Sequence, residues 1–257
     1  MCPIFLTLLK QITFFDKYTF KGISMFLSVE QTVTQTLPQP VVNTADEITI
    51  THLPNRTLYE TLATIRRIKH ANPTKKIVPH IAARNLYSER ELIECCLEFK
   101  KYNIETVLVI GGNLKQGRFF QSAFQLCSIL KELELRSLCG VYPQQENDQT
   151  VKAKKYPSFS GGITQFCLNE RVLNDFCSRT RIGVPSMCTA TDLYKYMKRC
   201  GVLDSVKTAL SNTRGIKYLT TKGFDTAKFV SQINNSNFHI YNFGKIESTV
   251  ARLRELE

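Results

Sequence analysis

The sequence predicts an α/β fold, a single-domain (β/α)8 TIM barrel. Short, densely apolar or β-branched runs recur along the chain and alternate with longer stretches of helical spacing. Eight such runs fit within 257 residues, about the length of one barrel. The rival arrangement is an open doubly wound sheet, but its G-x-G-x-x-G turn after the first strand is missing. Strict alternation implies parallel pairing through right-handed crossovers.

In chain order, the expected strands are Leu27 to Val33, Glu47 to Leu53, Lys76 to Ala82, Thr106 to Gly111, Ser137 to Val141, Gly162 to Leu168, Val184 to Cys188 and Phe238 to Phe243. Their hydrophobic density suits strands buried on both faces. Amphipathic segments lie between them at Thr57 to Ala71, Ser88 to Asn103, Phe120 to Leu133, Asn169 to Thr180 and Ala190 to Gly201. Ser88 and Glu91 have capping-box spacing, and Asn169 stands as an N-cap before Glu170. Leu203 to Asn235 has room for a further helix, and Ser248 to Glu257 reads as a closing one. Residues 25–257 are expected to form the barrel. Residues 1–24 are expected to be an N-terminal extension of separate status, because Met25 opens a more ordinary start.

Apolar content of 43% with 22% charged residues excludes a disordered chain. No run approaches the roughly 20 apolar residues of a membrane span. The nine cysteines lack metal-ligand spacing and point to a reducing, cytoplasmic compartment. Lys10, Lys17 and Lys21 against the single Asp16 leave organelle targeting by residues 1–24 open. The formal charge of +12 raises the alternative of a nucleic-acid-associated protein. Its clusters, such as Arg66-Arg67 and Lys152 to Lys155, fall on helices or their ends without interleaved aromatics, so a solvated basic face is the better account. Such a field still attracts phosphate-bearing cofactors and anionic substrates.

Barrel chemistry sits at the C-terminal ends of the strands. The polar residues there are Glu30, Thr51, His52, His80, Gly111, Gly112, Asn113, Tyr142, Gln165, Asn242 and Gly244. Each has a plainer reading: Glu30 as a surface carboxylate, His80 as a satisfied core histidine, Gly111-Gly112 as a tight turn. Gln165 is the most informative, because an amide within Ile163-Thr164-Gln165-Phe166 needs partners for up to four hydrogen-bonding sites.

Seven motifs fall in register with one family. They are Thr51-His52-Leu53-Pro54, Pro79-His80-Ile81-Ala82-Ala83-Arg84-Asn85, Leu108-Val109-Ile110-Gly111-Gly112-Asn113, Gly140-Val141-Tyr142-Pro143, Gly162-Ile163-Thr164-Gln165-Phe166, Arg199-Cys200-Gly201-Val202 and His239-Ile240-Tyr241-Asn242-Phe243-Gly244. In order and spacing the chain resembles the methylenetetrahydrofolate reductase family, in its short, single-domain branch. That resemblance implies a barrel in which NAD(P)H reduces FAD and the flavin reduces 5,10-methylenetetrahydrofolate to 5-methyltetrahydrofolate for methionine synthesis. It assigns Glu30 as the proton donor and Gln165 as a substrate contact. Thr51, His80, Gly112, Asn113 and Tyr142 become flavin contacts, and Lys154 a contact to the cofactor phosphates. Asn113 stands where many members carry an Asp, so an amide replaces a charge beside both flavin and substrate. A related barrel that binds a folate or other one-carbon ligand, without flavin or the reductase step, is the alternative. A small-molecule substrate and self-association of the chain complete the expectation.

Overall fold

The computed structural model describes residues 24–112, 114–199, 218–220 and 223–257. Eight parallel strands close into a barrel: β1 (Phe26–Thr32), β2 (Glu47–Thr51), β3 (Lys76–Ala82), β4 (Thr106–Ile110), β5 (Arg136–Val141), β6 (Gly161–Thr164), β7 (Thr180–Pro185) and β10 (Asn237–Tyr241). Chain order and spatial order agree, and β10 returns to pair with β1, Ser28 opposite His239. A small antiparallel pair, β8 (Leu219–Thr220) with β9 (Gly223–Phe224), is inserted before the last strand.

The helices between strands are α1 (Gln39–Thr44), α2 (Leu58–Ala71), α3 (Glu89–Lys101), α4 (Cys127–Glu132), α5 (Asp148–Lys154), α6 (Glu170–Asn174), α7 (Ala190–Arg199), α8 (Thr226–Val230) and α9 (Ile246–Arg254). Long α2 and α3 have strong N-terminal caps. In α2, Thr57 and Glu60 form a reciprocal capping box. In α3, Ser88 accepts from the Glu91 amide as expected, but the Glu91 carboxylate takes the amides of Tyr87 at 2.9 Å and Leu58 at 2.7 Å. One buried carboxylate therefore serves the starts of two helices.

The eight-strand expectation holds, with corrections at the edges. The seventh strand is Thr180–Pro185, not Val184 to Cys188, and the helix expected over Asn169 to Thr180 is only Glu170–Asn174. Arg181 and Gly183 interrupt the apolar run and hide the strand's start. The sixth strand stops at Thr164, leaving Gln165 just beyond it. The segment from Phe120 begins as a 3-10 turn, Ala123–Leu126, before α4. Helices α1 and α5 were not expected. Most of the Leu203 to Asn235 segment and residues 1–23 lie outside the described residues.

Alternation divides the strands cleanly. Leu27, Val29, Ile48, Ile50, Val107, Val109, Ile182, Val184, Phe238 and Ile240 face the helices in one large apolar layer. The opposite face fills the barrel. On one side Val78, Leu108, Leu138 and Ile163 pack together, with Ile110 against them. On the other the filling is polar: Ser28 contacts Thr49 at 2.8 Å, His239 Nδ1 at 3.1 Å and Glu47 at 3.2 Å. At the N-terminal end Arg181 reaches from β7 to pair with both oxygens of buried Glu47 on β2, its Nη2 at 3.1 Å from Oε2. This pair plugs the floor of the barrel, leaving the C-terminal mouth as the open end.

The last helix fastens the first strand. Arg254 donates to Met25 O at 2.7 Å and Thr44 O at 3.0 Å and pairs with Asp46 at 2.7 Å, while Asp46 accepts from the Leu27 amide at 2.7 Å.

Candidate functional site

The mouth is built from side chains one step above the filled layer. Glu30 lies two residues past Ser28 on the inward face of β1, partly buried. Thr51, at the end of β2, donates its hydroxyl to Glu30 Oε1 at 2.8 Å. Burial raises the Glu30 pKa above the ordinary carboxylate value, and the Thr51 hydrogen bond partly opposes it. A carboxyl that keeps its proton to higher pH, held at an open barrel end, is equipped to donate it.

His80 follows on the inward face of β3, two residues beyond Val78. It is 6% exposed, and neither ring nitrogen has a hydrogen-bond partner among the described residues. Burial, with neighbouring His52 adding to it, pushes its pKa down to about 3, so the ring is neutral and keeps one donor and one acceptor. His52 is different in kind. It accepts from the Ala82 amide at 3.3 Å and lies 3.0 Å from Arg56 O, contacts that require the neutral tautomer protonated on Nε2. His52 pins the β2 loop to β3.

Beyond β4 the chain turns through Gly111 and Gly112. Gly112 has φ +87°, a conformation that favours glycine, and an added Cβ would lie 3.2 Å from Asn85 Oδ1 and 3.3 Å from Ala82 Cβ. Arg84 braces this turn, its Nε donating to Gly111 O at 3.0 Å and its Nη2 to Gly112 O. Asn113 lies outside the described residues. Gln165 shares the inward face of Ile163, and its backbone amide donates to Val141 O at 2.6 Å. Glu30, Thr51, His80, Gly112 and Gln165 therefore all stand at strand ends around one mouth.

Two further expected residues are exposed. Tyr142 is exposed, 5.2 Å from ring centroid to the Lys155 ammonium. Lys154 is exposed on the outside of α5, whereas Lys155 turns inward to donate to Gly140 O at 2.7 Å and pair with Glu146 at 2.8 Å. One step along a helix rotates a side chain by about 100°, which accounts for the different directions of the two lysines.

Residues that sequence reasoning did not single out complete the mouth. Tyr241 on β10 donates its hydroxyl to Thr164 O at 2.8 Å across the barrel end. It does so over Gly183, where a Cβ would lie 2.6 Å from the tyrosine ring. Phe243 stacks on Tyr196 at 4.0 Å and meets Phe166 edge-on at 6.2 Å, making an apolar wall. One layer below the mouth, beside Ser28, His239 is fully buried, with Nε2 unpartnered among the described residues. Burial, then His80 and Arg181, lowers its pKa well below the usual range. The signal for Tyr241 and His239 was present as period-two alternation in His239-Ile240-Tyr241.

Fold and mouth together define the chain as a closed parallel β/α barrel with its polar ring at the usual working end. No protein-family model and no curated protein matches it. Among solved structures it is similar to oxaloacetate acetylhydrolase, at 8% identity and a TM-score of 0.49 over 90% of this chain and 80% of that one. It is also similar to 2,3-dimethylmalate lyase, a PEP mutase/isocitrate lyase superfamily member, at 9% identity and a TM-score of 0.49 over 90% and 81%. A third is dihydrodipicolinate synthase from Bacillus clausii, at 13% identity and a TM-score of 0.41 over 73% and 74%. These likenesses follow the course of the backbone; none of the three is named as a flavin or folate enzyme. Among the described residues no cluster could hold a metal ion, and no helix is long and apolar enough to cross a membrane. The seven described cysteines are free thiols.

Proposed function

We propose that the chain is a flavin-dependent oxidoreductase of the methylenetetrahydrofolate reductase type, reducing 5,10-methylenetetrahydrofolate to 5-methyltetrahydrofolate with NAD(P)H as electron donor. The observation that carries the reading is Glu30, a carboxyl of raised pKa held by Thr51 at the barrel mouth. It stands with the seven motifs in register.

The residues present suit a flat, polar heterocycle. His80 offers two unpartnered ring nitrogens, Gly112 leaves backbone approachable where a Cβ would crowd Asn85, and Thr51 adds a hydroxyl. Lys154 is exposed on α5 and free to meet a cofactor phosphate, while its neighbour Lys155 is already paired with Glu146. Flavin, when bound, supplies hydride taken from NAD(P)H. The chain's own work is proton supply and positioning. Opening the five-membered ring of the folate breaks a carbon–nitrogen bond, and Glu30 donates its proton to the departing nitrogen. The buried, uncharged His80 keeps the mouth free of competing positive charge, and the wall of Phe166, Tyr196 and Phe243 excludes water beside it.

The test is direct. Purified protein incubated with FAD should acquire flavin absorbance that NAD(P)H bleaches and methylenetetrahydrofolate restores. A colourless protein that oxidises no NAD(P)H with either the folate or a quinone acceptor overturns the reading. The alternative, a folate-binding barrel without flavin, predicts folate binding by the same colourless protein.

A further inference from the structure

A groove of about 590 Å³ lies at the other end of the barrel, between the C-terminal turns of α2 and α3. Both turns lead into the starts of strands β3 and β4, so the groove opens on the face opposite the mouth, a full strand length from Glu30. Its walls carry Arg66, Arg67, Lys69, His70, Lys101 and Tyr102. Lys69 is 8% exposed, and one of its protons goes to Pro73 O at 3.2 Å, leaving two donors for other acceptors. Burial lowers the Lys69 pKa, a cost that an anion would relieve.

Helix C-terminal ends attract basic residues for their own sake. Each C-terminal turn offsets roughly half a charge, and Glu98, paired with both Arg66 and Lys101, offsets one more. Against the four permanent cations Arg66, Arg67, Lys69 and Lys101, roughly two positive charges remain by this helix-dipole reckoning, without counting His70. The residual charge is concave, includes a nearly buried ammonium, and has an aromatic ring on its wall. We infer that this groove is a binding site for a small oligophosphate, either a nucleoside polyphosphate or an inorganic polyphosphate. Guanidinium groups bind phosphate oxygens in pairs, Lys69 serves as the point charge at the base, and Tyr102 offers a face to a nucleobase.

Calorimetric titration of the intact chain with tripolyphosphate and with ATP, at fixed ionic strength, tests this independently of flavin or folate. One equivalent should bind, and Arg67→Glu with Lys101→Glu should weaken binding at least tenfold while circular dichroism stays unchanged. The control Lys131→Glu with Arg252→Glu makes the same charge change elsewhere and should leave binding intact. Tighter binding of ATP assigns the site to nucleotides, and equal binding assigns it to the phosphate chain alone; both support the site. Equal loss in the two double variants, no binding at millimolar ligand, or tighter binding of a single-stranded oligonucleotide with the same sensitivity to Arg67 and Lys101 overturns it.

Discussion

Glu30 illustrates how one position couples stability to chemistry. Folding raises its pKa from 4.5, so the folded state holds the proton more tightly than the unfolded one. The associated stability is fully present below pH 4.5 and is lost as pH rises through the folded value. Glu30→Gln removes that dependence, and its melting temperature should exceed the wild type's at pH 8 by more than at pH 4. The same variant should retain flavin reduction by NAD(P)H and lose folate reduction by about 100-fold or more, the scale of general acid catalysis; equal loss in both half-reactions would remove the acid role. Thr51→Val deletes the contact that lowers the pKa, so the alkaline limb of folate reduction should move to higher pH. His80 runs with the opposite sign. Its pKa of about 3 lies below the ordinary 6.5, so its contribution is present above pH 6.5 and drains away as pH falls toward 3. His80→Leu should flatten the acid limb of urea-unfolding stability by up to about 1.4 kcal/mol per pH unit in that window.

Among the elements, Glu91 ties the starts of two helices to one side chain. Its carboxylate caps α3 through Tyr87 and reaches across to the first residue of α2, Leu58, while 4% exposed. Glu91→Ala leaves two amides without that acceptor, and should cost about 2–4 kcal/mol by denaturant unfolding; Glu91→Gln, keeping an oxygen, should recover part of it. The spacing Ser88 to Glu91 made a helix start legible, but not the second helix the carboxylate serves, because that contact spans 33 residues. Strands were legible where both neighbours of an inward residue are apolar, as in β3 and β4. They were misplaced where Arg181 and Gly183 turn inward, because these residues satisfy the barrel interior through a distant Glu47 and a crossing Tyr241. The site followed the same division. Glu30, Thr51, His80 and Gln165 could be read from strand ends, whereas the inward turn of Lys155 onto Gly140 and Glu146, just past α5, could not be read from local periodicity.

For the whole molecule, the floor of the barrel sets a stability question that no local segment answers. Arg181 and Glu47 stand on β7 and β2, 134 residues apart in sequence, and bridge the barrel at its closed end with side chains 17% and 7% exposed. Ser28 adds a hydrogen bond to the same carboxylate at 3.2 Å, and Phe26 lays its ring 4.9 Å from the Arg181 guanidinium. Attraction within such a pair is offset by the desolvation of both ions, so its net contribution is small, but removing one partner strands the other in a dry interior. Arg181→Met should therefore cost about 3–5 kcal/mol in denaturant unfolding. Adding Glu47→Leu to it should restore most of that loss, because an apolar floor no longer holds an unpaired carboxylate. A double-mutant cycle measures the coupling. Additive losses would show that the two side chains stabilise the barrel separately, through Ser28 and Phe26, and not through each other. Because the pair lies at the end opposite Glu30, the double variant should also keep the chemistry of the mouth, separating the barrel's closure from its working face.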